Sequence, residues 1–197
     1  MKKNIYYSLL ISAMVSVSAA EETRQVDKHE HGVGELNIAI EGNAIDFEFF
    51  IPGADIVGFE YEAKTESDIA LVNAALEKFG NFDNIFSLPE SSNCNLVNSE
   101  IGVNQDDDHD DHDDHDDHDD HDDHDEHDEH DEEAHNEFVA HYSFNCGNIK
   151  EIDRISFPYF TTFPNSGELE VQFVSEIGST SFEVEGDEPF IDLKGKI

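Results

Sequence analysis

The sequence predicts an α+β fold: mostly antiparallel β with one helix (about 66–79), in a single domain interrupted by a disordered Asp/His-rich insertion. Three observations predict it. Two stretches alternate apolar and polar residues at the period of a strand, each broken by turn residues. One stretch places its apolar residues at the period of a helix. Between them, residues 106–133 contain nothing but Asp, Glu and His, so they have nothing to bury. No βα unit repeats, which argues against a parallel α/β sheet.

The first twenty residues, "MKKNIYYSLLISAMVSVSAA", have the layout of a secretory signal peptide. Lys2 and Lys3 precede an apolar run, and Ser18, Ala19 and Ala20 supply small residues before "EET". The run is shorter than the ~20 apolar residues a membrane span needs. Cleavage after Ala20 and a periplasmic location are expected, with no membrane insertion. "GELNIAIEGNAIDFEFFI" then reads as a hairpin. Leu36, Ile38 and Ile40 alternate, Gly42-Asn43 turns, and Ile45, Phe47 and Phe49 alternate again. "PGADIVGFEYEAKT" is an irregular connection. In "TESDIALVNAALEKFGN" Thr65 can cap a helix, with Asp68 as a partner three residues on. Ile69, Val72, Leu76 and Phe79 form one stripe, and Gly80 ends it. "CNLVNSEIGVN" is expected to be an edge strand. After the insertion, "NEFVAHYSFNC" sets Phe138, Ala140, Tyr142 and Phe144 on one face and Glu137, Val139, His141 and Ser143 on the other. "IKEIDRISFPYFTTFPN" is apolar but ambiguous between strand and short helix. "GELEVQFVSEIGSTSFEVEG" is a second hairpin, with Gly178 in its turn and Phe182 and Val184 facing inward. The expected organisation is a signal peptide over 1–20, one folded domain over 21–104 plus 134–197, and a metal-binding insertion over 105–133.

The chain has 197 residues and a formal net charge of −38. Removing 20 residues leaves 177, and losing Lys2 and Lys3 takes the charge to −40. Such a chain repels nucleic acid and anionic lipid and attracts cations. Its two cysteines, Cys94 and Cys146, would meet an oxidising compartment, where a disulfide is the default. That bond would enclose the whole acidic tract, with a loop-closure effect of roughly 4 kcal/mol. It is also expected to hold the domain closed at the base of the insertion.

Within the tract, His109, His112, His115, His118, His121, His124, His127 and His130 recur every third residue. In an extended chain this places imidazoles on one edge about 9 Å apart. In a helical turn, neighbours at i and i+3 come close enough to chelate together. Carboxylates alone suit calcium or magnesium, whereas imidazole selects zinc, copper or nickel. Several weak, degenerate zinc sites are expected, with Cu²⁺ or Ni²⁺ as alternatives. Binding should fade in acid, because metal must displace protons from histidine. The plainer alternative is an acidic solubilising spacer, which leaves the regular histidines unexplained.

Four histidines lie outside the repeat: His29, His31, His135 and His141. His29 and His31 share one side of an extended chain, and His141 faces away from the apolar face of its strand. If these strands are neighbours, His29, His31 and His141 could converge on one ion, with Glu60 or Glu35 as an oxygen ligand and His135 as a further candidate. The alternative is that they are ordinary surface histidines.

The blocks "HEHGVGELNIAIEGNAIDFEFFIPGADIVGFEYEAKT", "LPESSNCNLV", the Asp/His-rich insert, "EFVAHYSFNC" and "FPNSGELEVQFV" occur in this order. Together they resemble the ZrgA-type family of zinc-regulated periplasmic proteins. The resemblance implies a zinc-binding protein that supports zinc uptake, partnered with an inner-membrane ABC-type importer. It maps the family's histidines onto His29, His31 and His141. It would also imply a histidine after "GFE", where this chain has Tyr61; Glu60 and Glu62 gain interest accordingly. The function expected is zinc capture by a tight His-based site plus a weak Asp/His-rich loop, in a monomer. The alternative is a storage or detoxification buffer for zinc, copper or nickel. No enzyme is expected, since neither HExxH nor a supportable Ser-His-Asp order occurs.

Overall fold

The computed structural model describes residues 32–105 and 136–197. The expected hairpin is β1 (Val33–Glu41) and β2 (Ala44–Pro52), joined by Gly42-Asn43, with Gly42 at φ 57°. A one-turn helix, α1 (Gly53–Val57), follows directly. Then comes α2 (Glu66–Gly80), whose Thr65 hydroxyl accepts the Asp68 N–H at 3.1 Å. That bond satisfies one of the orphan donors of the first turn. β3 (Cys94–Gln105) and β4 (Asn136–Cys146) pair antiparallel. The ambiguous stretch becomes β5 (Arg154–Ser156) and α3 (Tyr159–Thr162). β6 (Glu168–Ser175) and β7 (Gly178–Glu185) form the second hairpin, with Gly178 opposite Ser175 rather than inside the turn. β8 (Phe190–Asp192) pairs with β5 in a small second sheet.

The main sheet has the order β3-β4-β2-β1-β6-β7. Two features correct the expected α+β class. The chain is mainly β, since α2 is the one described helix longer than five residues. The sheet is also mixed, because β1 and β6 run parallel, with Leu36 level with Val171. The two hairpins join through this pair, a long-range match that local alternation does not encode. Ile155 of β5, Tyr159 of α3 and Ile191 of β8, with Ile85 and Phe86, join Phe79 of α2 in the same buried core. The disordered insertion that completed the expectation lies outside the described residues, as does the signal peptide.

One face of the sheet carries the core. Leu36, Ile38, Phe47, Phe49, Phe138, Tyr142, Val171 and Phe173 are each at most 1% exposed. Phe79 of α2 stacks between Phe138 and Phe163, with ring centroids 6.0 and 4.9 Å away, and the Tyr142 hydroxyl donates to its carbonyl at 2.6 Å. Burying such a ring contributes about 1.5–3 kcal/mol. The expected stripe of α2 holds in part: Phe79 is buried and Val72 and Leu76 pack partly buried against the core, while Ile69 is 45% exposed.

Cys94 and Cys146 form a disulfide and face each other in the β3–β4 ladder. At the other end of that ladder Gln105 pairs with Asn136. The base of the insertion is therefore not at the disulfide. It lies eleven residues along β3, about 35 Å at the usual rise per residue. The disulfide pins the far end of the strand pair, because the antiparallel register sets Cys94 level with Cys146 and Gln105 level with Asn136.

Candidate metal centre

The far side of the sheet is open and polar. Register sets Glu100, His141, Glu48, Asn37 and Gln172 side by side across β3, β4, β2, β1 and β6. The His141 Nδ1 lies 3.4 Å from Glu48 Oε1, and both side chains are more than 40% exposed. Asn37 Nδ2 donates to the other Glu48 oxygen at 3.3 Å. The Phe50 ring stands edge-on to the imidazole, 6.4 Å between centroids. His141, Glu48, Asp46, Ser143 and Gln172 help line a shallow concavity of about 470 Å³. A carboxylate on Nδ1 orients an imidazole so that Nε2 is available to a ligand. Two partners in water hold an ion only weakly.

A second polar locus lies where β1 begins, β2 ends and β4 begins. Asp55 sits in α1, 4% exposed, and its Oδ1 accepts the Gly32 N–H at 2.9 Å. The Gly32 carbonyl in turn accepts the N–H groups of Gly167 and Glu168. Asn136, 3% exposed, donates its side-chain amide to the Tyr61 carbonyl at 3.0 Å. Its main-chain N–H donates to the Glu60 carbonyl at 2.8 Å. The Tyr61 ring stacks on Phe59, centroids 4.6 Å apart, and is 55% exposed. Glu60 itself is half-buried. Burial pushes the phenol of Tyr159 up, and the charge of Asp55 adds to the same shift.

The structure thus separates residues that the sequence reading grouped. Glu60 belongs to the corner at Asn136. His141 stands five residues along β4, about 17 Å away. Glu35 lies on the open face opposite Phe50, one row from His141. His29, His31, His135 and the repeat histidines His109 to His130 lie outside the described residues. Among the described residues, no three His, Cys, Asp or Glu side chains come together as a metal shell. Sequence reasoning missed Asp55, Asn136 and Glu48. The signal for Asp55 was a lone acid in the apolar run "GADIVGF". Asn136 and Glu48 gave none, because both depend on which strands are neighbours.

Among the described residues, no helix is long and apolar enough to cross a membrane. No curated protein matches the chain. Residues 28–193 match the family model described as ZrgA family zinc uptake protein, and the chain belongs to that family.

Proposed function

We propose that the chain is a periplasmic protein that captures Zn²⁺ and supports its acquisition by an inner-membrane ABC-type importer. One tight site takes its ligands from His29, His31, His135 and Glu60. The histidines of the tract, His109 to His130, gather zinc weakly and raise its concentration nearby. His141, with Glu48 on its Nδ1, is a separate, weaker station on the open face. The layout like a signal peptide, the disulfide and the family membership support an extracytoplasmic setting.

One observation carries the tight site. Glu60 is held against Asn136, the residue after His135, and α1 beside it holds Gly32, the residue after His31. Three candidate ligands thus belong to points of the chain tied to one corner of the domain. Imidazoles with one carboxylate are an ordinary zinc shell. Residues 106–135 connect Gln105 to Asn136, which are paired at this same end of the sheet.

Growth separates capture from storage. Deleting the gene is expected to slow growth under zinc starvation and to leave tolerance of excess metal unchanged. Sensitivity to excess zinc with normal growth in starvation would support a buffer instead.

A further inference from the structure

The main sheet ends in two edges, β3 and β7, and they are finished differently. At β7 the C-terminal segment closes in. Lys196 Nζ stands 5.7 Å from the centre of the Phe182 ring, and the Lys196 carbonyl accepts the Ser175 hydroxyl at 2.6 Å. At β3, among the described residues, no strand pairs with the outer side. Every residue from Asn95 to Glu100 is exposed, and β3 contains neither Lys nor Pro, the usual guards of an edge. A bulge between Leu96 and Asn98 interrupts the ladder near the disulfide, and from Asn98 to Gln105 the register with β4 is regular.

The side chains of this edge alternate as those of an interior strand do. Ile101 and Val103 lie level with Ala140 and Phe138 on the core side, yet both are only half-buried, and Leu96 on that side is 43% exposed. Apolar surface is left there for one more strand to cover. Asn98 and Glu100 lie level with Ser143 and His141 on the open side. Glu48 and Asp46 of β2 stand in the same two rows. The six strands contain no Lys or Arg. The described cations, Lys64, Lys78, Lys150, Arg154, Lys194 and Lys196, all lie outside the sheet.

We propose that the outer edge of β3, from Asn98 to Asn104, takes up an extended segment of a partner protein whose residues alternate between apolar and basic. Main-chain hydrogen bonds to β3 add the segment as one more strand. Its apolar residues cover Ile101 and Val103, and its Lys or Arg residues face Glu100. Complementary charge selects this occupant, because a second copy brings the same strong negative charge and is repelled. No metal takes part, so the inference stands apart from the zinc sites proposed above.

The test uses the full mature chain, with a short peptide alternating Val and Lys as the probe. Binding is expected to slow amide exchange at alternate residues of Asn98–Asn104, those whose N–H groups turn outward. The same peptide N-methylated at every residue keeps its charge but has no main-chain N–H to donate, and should give no such protection. Equal protection by both peptides, or none by either, overturns the inference. A Cβ at Gly102, on the open side of β3, meets nothing within 4 Å, so either charge fits there without repacking. Read at the same amides, Gly102→Lys should weaken the Val–Lys peptide about 5-fold and Gly102→Glu should tighten it by about as much. Equal affinity in the two variants contradicts selection by charge. A mature chain that is dimeric without peptide, with these amides already protected, gives the edge to a second copy and overturns the inference as well.

Discussion

The corner around Asp55 and Asn136 and the open face around His141 use similar chemistry in opposite surroundings. In the corner, both polar side chains are at least 96% buried and bond to main chain. On the face, His141 and Glu48 are 43% and 42% exposed and stand 3.4 Å apart. Water screens the second pair, so the pair is worth about 0–1 kcal/mol. The corner gains from low dielectric and suffers if any partner is removed. The difference teaches where selectivity can reside. A ligand set that is held before the ion arrives loses less on binding than one that must be gathered.

The comparison is sharpened most by a change that spares both regions. Reducing Cys94–Cys146, at the far end of the β3–β4 ladder, should cost about 4 kcal/mol by the loop-closure argument. Denaturant unfolding with and without reductant measures that cost. Tight zinc binding at folded conditions should be unchanged, and a large loss would mean the two ends are coupled. Next in size, Glu60→Ala should weaken the tight ion by about 100-fold, the scale of a lost ligand or its support. In the same chelator titration His141→Ala should leave that ion unaltered. A reversal of the two would make the open face the tight site.

Stability should divide the same way. Asn136→Ala leaves the Tyr61 carbonyl without its donor and should cost about 1–3 kcal/mol. The smallest effect is expected from Glu48→Gln, within about 0.5 kcal/mol of the native chain. Unfolding midpoints of the two variants give the contrast directly.

Much of the local structure was legible. Alternation gives β1, β2 and β6, because one face of each is buried and the other is not, and more faintly β7, an edge strand in which Val184 alone is buried. Thr65, Phe79 and Gly80 mark α2 because capping and helical period are local. The parallel match of β1 with β6 was not legible, since it joins segments 135 residues apart. Nor was the place of the disulfide relative to the insertion, which depends on the register of β3 with β4. For the candidate site, histidine parity put His141 on the polar face, where it stands. Its distance from Glu60 follows from register, and register is set by turns and pairings elsewhere. Asp55 was passed over because a buried acid within an apolar run looks like an ordinary loop residue until its partner is known.

The most direct measurement is the zinc stoichiometry of the mature chain against a variant lacking residues 106–133. The variant is expected to lose several weakly held ions and to keep at least one tight ion, because His29, His31, His135 and Glu60 all remain. A shortened chain that binds no zinc tightly would contradict the tight site, and a shortened chain that binds as many ions as the full one would contradict the gathering role of the tract.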